Sequence, residues 1–238
     1  DNIEFSEWAT WTSSFNVDLI SYWTLDEVSN PLFDSLGRNN ATAINALVNS
    51  TNFKLGKSYS FKGSNYIINL TTGSTLKLTS QPLTINLWVY YEAGDVSTNT
   101  GLFGSPTSGT YAFYIKDATS EMAFAKTGTA EVFSKAFTFA KNWVMMTIVY
   151  NSTGANFFIN GTYDSSTAFS QTFTAGSEYR LGYFNWGGAA YFKGSMDEVG
   201  IWNRSLSDIE INDLFNNNLG LTYVGSIIPL MTIKNSIP

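Results

Sequence analysis

Asp197 makes the sharpest demand in this chain, because the pattern around it puts a carboxylate where water is scarce. In KGSMDEVGIW, Val199 and Ile201 alternate with Glu198, Gly200 and Trp202, as a period-two strand requires. Asp197 shares the parity of Val199 and Ile201, so it is expected at the mouth of the core-facing side, with Glu198 facing the other way. A carboxylate there needs a metal ion, an arginine or backbone N–H groups, since burying it unpaired is costly. A second chemistry lies in YFNWGGAAY, from Tyr183 to Tyr191. Sugars lay their apolar C–H faces on aromatic rings while amides take the hydroxyls. Tyr183, Asn185 and Trp186, on a glycine-softened loop, are therefore the candidate ligand-binding residues. The bland alternative is that Trp186 packs over a sheet edge and is merely half-exposed.

Composition removes other chemistries. Histidine is absent, which takes away the commonest general base, the usual catalytic triad and the usual zinc sites. Cysteine is absent too, so disulfide and thiol chemistry are excluded and the redox compartment cannot be read. A formal charge of −6 argues against nucleic acid, anionic membrane or sulfated glycan as partner. Charged residues make up only 13%, so the surface is mostly Ser, Thr, Asn and Gly, which suits a secreted, wall-bound or assembled protein. No run approaches the roughly 20 apolar residues of a membrane helix. Asp1 opens no signal-peptide pattern, so a mature form or an excised segment is expected. N-x-S/T sequons at Asn40, Asn49, Asn69, Asn151, Asn160 and Asn203 carry little weight in a chain this rich in Asn, Ser and Thr.

The elements that must position these residues are strands. Leu19–Leu25 reads as a first strand with Leu19, Trp23 and Leu25 on one face. The turn-rich segment DSLGRNN follows, then short strands near Ala43–Val48, Ser58–Phe61 and Tyr66–Leu70. Leu83–Tyr91 alternates most cleanly, and Trp143–Tyr150, apolar on both faces, suits a central strand covered on both sides. Further strands are expected at Tyr111–Lys116, Glu121–Lys126, Thr129–Phe133, Phe157–Asn160 and Glu178–Phe184, with Asn160-Gly161 as a hairpin turn. Ser207 and Glu210 form a capping box opening one short helix, whose apolar stripe is Leu206, Ile209, Ile211, Leu214 and Phe215. About a dozen strands with one helix and no βαβ alternation mean an all-β fold.

These landmarks resemble the LamG-like jelly-roll family of the concanavalin A-like lectin/glucanase superfamily. The matching pieces are LISYWTLDE, DSLGRNN, GKSYSFKGSNYI, LTINLWVYY, NWVMMTIVYNSTGANFFINGTYD, YRLGYF and FKGSMDEVGIWNRSLSDIEINDLF. The last is the most specific, and the resemblance spans about residues 16–223. It implies two antiparallel sheets packed face to face with one short C-terminal helix. It also implies a mostly non-catalytic module, often with one structural calcium ion. Asp26, Glu27, Asp34, Asn39, Asn40 and Asp197 lie in the segments that this family brings to one edge, so Asp26, Asp34, Asn39 and Asp197 are the candidate Ca²⁺ ligands. Alternatively, Asp34 caps a turn and Asp197 accepts backbone N–H bonds. Trp88 matches a family core position, which favours packing over binding. Glucanases of this fold carry carboxylates at i, i+2 and i+4 of a strand. Here the one acidic pair spaced by two, Asp208 and Glu210, falls in the helix, so catalysis is not expected.

The expected organisation is a lead-in over 1–15, one sandwich over 16–223 and an apolar tail strand over 224–238. The expected role is an extracellular or cell-surface module that binds a carbohydrate or a surface protein. The alternative is a structural subunit of an extracellular filament. In that case Ile228, Leu230, Met231 and Ile233 would add a strand to a neighbouring copy. The tail could equally form an edge strand on its own sandwich or begin a following domain.

Overall fold

The structure, a computed structural model, describes residues 9–70, 76, 78–79, 81–92, 99–138 and 141–224. In chain order its strands begin with β1 (Leu19–Trp23), β2 (Ala41–Ile44), β3 (Leu47–Asn49), β4 (Ser58–Lys62), β5 (Ile67–Leu70) and β6 (Leu83–Tyr91). Next come β7 (Thr100–Gly104), β8 (Tyr111–Lys116), β9 (Glu121–Lys126), β10 (Ala130–Ala136), β11 (Trp143–Asn151) and β12 (Gly154–Ile159). The set closes with β13 (Thr162–Thr167), β14 (Tyr179–Leu181), β15 (Tyr183–Asn185), β16 (Ala189–Tyr191) and β17 (Lys193–Trp202), followed by helix α1 (Asp208–Phe215).

Two large antiparallel sheets carry the fold. One runs β13-β12-β11-β6-β17-β4-β3 with β1 also on β17, and the other runs β10-β9-β8-β7-β14-β5-β2. Alternation along each strand sends one set of side chains between the sheets. Leu83, Ile85, Leu87 and Val89 of β6 meet Phe103, Phe113, Ile115 and Phe124 there. The opposite set would face water, but each sheet is covered on part of its outer side. On the eight-stranded sheet, Trp88, Met145, Val149, Phe158 and Trp202 lie under α1 and the N-terminal segment. On the seven-stranded sheet, Ala112, Tyr114, Ala123 and Ala125 lie under the β15–β16 hairpin. Both outer coverings extend the buried apolar surface, at roughly 25 cal/mol per Å².

The helix forms as its caps require. Ser207 Oγ accepts from the Glu210 N–H while the Glu210 carboxylate accepts from the Ser207 N–H, and three left-handed asparagines, Asn216 to Asn218, end it. Ile211 and Leu214 are buried and Phe215 stacks on Trp88 at 5.7 Å, but Ile209 is 74% exposed and leaves the expected stripe. The Asn160-Gly161 turn has positive φ at both positions and joins β12 to β13, as expected of a type I′ hairpin.

Several expectations need correcting. The segment 9–15 is no linker: Trp11 and Phe15 are buried in the outer layer, and Phe15 O accepts from Trp202 Nε1 at 2.7 Å. Residues 43–48 form two strands in different sheets, because Asn45 at φ 58° turns the chain between them. A register shift between Leu19 and Ser21 puts Leu19 in the outer layer while Trp23 and Leu25 point between the sheets. Glu178–Phe184 is likewise divided at Gly182, φ 77°, into β14 and the separate β15. Ile228, Leu230, Met231 and Ile233 of the tail lie outside the described residues.

Candidate glycan-binding face and a buried carboxylate corner

The hairpin Tyr183–Tyr191 is laid across the outer face of the seven-stranded sheet, and the residues beneath it explain why it fits. A Cβ on Gly101 would stand 2.6 Å from the Phe184 nitrogen, and one on Gly104 would stand 2.6 Å from Phe184 Cβ. Glycine in β7 thus permits a close approach of two backbones that any side chain would block. Phe184 fills the joint, fully buried, with its ring parallel to Tyr114 at 4.3 Å. The tip is Trp186-Gly187-Gly188, closed by a bond from the Trp186 N–H to Gly188 O at 3.1 Å.

Trp186 is half-buried against the cluster of Ala112, Tyr114, Ala123, Ala125 and Phe184. Next to it opens a cleft of about 490 Å³, lined by Ser108, Gly128, Asn185, Gly187 and Gly188. Asn185 is fixed by a bond from Nδ2 to Pro106 O at 3.2 Å. Of the three residues expected to bind, Asn185 lines the cleft and Trp186 sits beside it. Tyr183 is 6% exposed, with the Arg180 guanidinium over its ring at 4.8 Å, so it supports the hairpin and offers no free platform. Ser108 and Gly128 were not legible as site residues, since they come from two turns far apart in sequence.

The carboxylate corner departs from simple alternation. β17 has a bulge between Asp197 and Gly200, with Glu198 at φ 49°. Asp197 stands opposite Trp88, an outer-layer residue, while Val199 and Ile201 point between the sheets. Asp197 is therefore on the outer side, not with Val199 and Ile201. Glu198, expected to face away from it, is on that side too and accepts from the outer-layer Tyr22 hydroxyl at 2.7 Å. Asp197 accepts from the N–H groups of Lys54, Leu55 and Glu198 at 2.8, 2.9 and 3.0 Å. Burial nonetheless pushes its carboxyl up to about 8. Burial, then the charge of Asp197, raises Glu198 well above its ordinary value.

Asp26 belongs to this corner. Its charge raises both Asp197 and Glu198, it accepts from the Lys57 N–H at 2.5 Å, and a Cβ on Gly56 would collide with its carboxylate. Glu198 Oε1 is buried without a hydrogen-bond partner. The buried carboxylates of Asp197 and Glu198, with Asp26 beside them, are hard-oxygen donors of the kind calcium takes. The other expected ligands do not join them. Asp34 uses both oxygens on the N–H groups of Tyr22, Leu36, Arg38 and Asn39, and Asn39 donates from Nδ2 to Ser21 Oγ at 2.7 Å. Among the described residues no three acidic side chains are grouped closely enough to encage a metal unaided.

A laminin G family model, described as the concanavalin A-like lectin/glucanases superfamily, matches residues 61–212. The chain belongs to this superfamily. Among solved structures it is similar to domain 4 of an extracellular arabinanase from Geobacillus stearothermophilus, in complex with arabinotriose. That likeness has 20% identity and a TM-score of 0.65, and covers 88% of this chain and 100% of that one. The botulinum neurotoxin type G receptor binding domain is similar at 13% identity and a TM-score of 0.64, with 84% of this chain and 51% of that one covered. A Trypanosoma rangeli sialidase is similar at 13% identity and a TM-score of 0.63, with 85% and 33% covered. A search of curated proteins finds no match. These likenesses show the fold, a lectin-like jelly roll. No helix among the described residues is long and apolar enough to cross a membrane.

Proposed function

We propose that this chain is a non-catalytic carbohydrate-binding module of an extracellular or surface protein, with the cleft beside Trp186 as its glycan site. The observation that carries this reading is the hairpin itself. It places the anchored Asn185 amide and the Gly187-Gly188 tip in the lining of a cleft of about 490 Å³, with the half-buried Trp186 between them in the chain. The arabinanase domain similar to this chain over its whole length is in complex with arabinotriose, which supports the same ligand class. Among the described residues that line the cleft none is acidic, which fits binding without turnover. Asp197 and Glu198 are buried away from solvent, and Glu210 is engaged by Arg204 and Ser207. Titration with arabino-oligosaccharides and a wider glycan panel, with wild type and Trp186→Ala compared, tests the assignment.

A structural calcium ion is the second reading, favoured by Glu198 Oε1, a buried oxygen without a donor. Asp197 and Glu198, two adjacent buried carboxylates, would be its acidic ligands, with other oxygens completing the shell. Such an ion supplies positive charge to a corner where the charge of Asp26 raises both Asp197 and Glu198. It would anchor the segment around Lys54–Lys57 to β17, and it takes no part in chemistry.

A further inference from the structure

A second groove lies on the other side of the sandwich, on the outer face of the eight-stranded sheet. Its volume is about 280 Å³, and it is lined by Val149, Asn151, Asn156, Phe158, Tyr163, Ser205, Leu206 and Asp208. The register explains the grouping. Asn156 stands opposite Val149 across β11–β12, and Tyr163 stands opposite Phe158 across β12–β13, so all four point outward together. Val149, Phe158 and Leu206 are buried and make an apolar floor. Tyr163 is 49% exposed, and its ring is held edge-on to Phe158 at 5.6 Å.

The opposite wall is the loop before α1, and it is fixed. Leu206 N donates to Thr84 Oγ1 at 3.1 Å, and that hydroxyl donates to Arg204 O at 2.7 Å. Arg204 in turn is bound to Glu210, Val17 O and Ser14 O. The groove is thus built before any ligand arrives, which lowers the ordering cost of binding. Its polar groups are only partly spent. Asn151 uses only Oδ1, on Thr153, and Asn156 uses only Nδ2, on Val149 O. Among the described residues the Tyr163 hydroxyl, Ser205 hydroxyl and Asp208 carboxylate have no hydrogen-bond partner.

We propose that this groove is a second sugar-binding site, separate from the hairpin cleft, that takes one neutral sugar ring. An exposed tyrosine face suits the C–H side of a ring, and amides, hydroxyls and one carboxylate suit its hydroxyl groups. Among the described residues the lining holds Asp208 and no cation, so uronic, sialic or sulfated sugars are disfavoured. The volume falls below the roughly 300–1,000 Å³ of sites that enclose larger ligands, which fits a terminal ring better than a chain interior. Because the two sites open on opposite faces, one molecule could join two glycan chains. The site stands without the hairpin reading, since it shares no residue with that cleft.

The test is amide chemical-shift titration of the full chain, produced without N-glycosylation because Asn151 stands in a sequon. The probes are glucose, galactose, mannose, arabinose, N-acetylglucosamine and glucuronate. At least one neutral sugar should shift the amides of 149–151, 156–158, 163 and 205–208, while glucuronate shifts them least. Tyr163→Ala, an exposed position, should keep the fold and weaken this response about tenfold or more. Trp186→Ala should leave it unchanged. The proposal is overturned if no neutral sugar moves these amides, if Tyr163→Ala binds as well as wild type, or if glucuronate binds as strongly as the neutral sugars. Failure of the hairpin reading would show separately, at the amides of 185–188.

Discussion

Phe184 lies flat on Tyr114, with ring centroids 4.3 Å apart and planes within 11° of parallel. This contact joins the hairpin to the seven-stranded sheet, and the Tyr114 hydroxyl is itself bound by Glu131. Through it the position of Trp186 is set by sheet residues more than 50 positions away.

Removing that joint should therefore loosen the site and the fold together. Phe184→Ala should cost about 3–5 kcal/mol, the usual range for a fully buried phenylalanine. Urea denaturation measures the loss, and glycan binding should fall with it. A stable variant that still binds would mean that the hairpin is held by something else.

The N-terminal segment gives a second prediction. Trp11 is 5% exposed and packs on Phe15, Tyr22 and Trp202, so Trp11→Ala should cost about 3–5 kcal/mol. Thermal unfolding checks it. If the segment were a linker, the melting temperature would not change.

The contrast between these two regions shows what the sequence could convey. Strand β6 and β11, the capping box of α1 and the Asn160-Gly161 turn were legible because each is specified by local pattern. Trp11 and Phe15 were not, since they stand among Ser, Thr and acidic neighbours and are buried largely by distant residues such as Trp202. β7 was missed because Gly101 and Gly104 lower strand propensity, and their purpose, room for the hairpin, is a tertiary fact. Parity misplaced Asp197 because one bulged residue reverses every face that follows. Trp186 and Asn185 could be singled out by residue type, but the turns bearing Ser108 and Gly128 could not, because the cleft is made by folding.

The carboxylate corner predicts a response to calcium. A cation that binds only the folded chain stabilises it by mass action, about 2.7 kcal/mol at a hundredfold excess over its dissociation constant. Chelation should lower the melting temperature, and Glu198→Gln or Asp197→Ala should remove the sensitivity. An identical melting curve with and without chelator would contradict the calcium reading.

The same corner predicts a pH trend in the chelated protein. Burial raises Asp197 in the folded state to about 8 from its ordinary 3.8, so between these values the folded chain holds a proton that the unfolded chain has lost. Stability linked to Asp197 must then fall as pH rises from about 4 to about 8. Glu198, raised in the same direction, adds to the trend. Asp197→Asn should flatten it, and added calcium should oppose it, because metal binding favours the ionised form. A melting temperature that climbs steadily over this interval in chelator would count against these buried carboxylates.

The central claim is that the cleft at the hairpin tip binds glycan through Trp186, and calorimetric titration of wild type and Trp186→Ala with the same oligosaccharide tests it most directly. Loss of a stacking aromatic should weaken binding by about tenfold or more, with the melting temperature nearly unchanged because Trp186 is only half-buried. If Trp186→Ala binds every glycan as wild type does, or if the variant unfolds while retaining no separable binding defect, the indole is a packing residue and the claim is wrong.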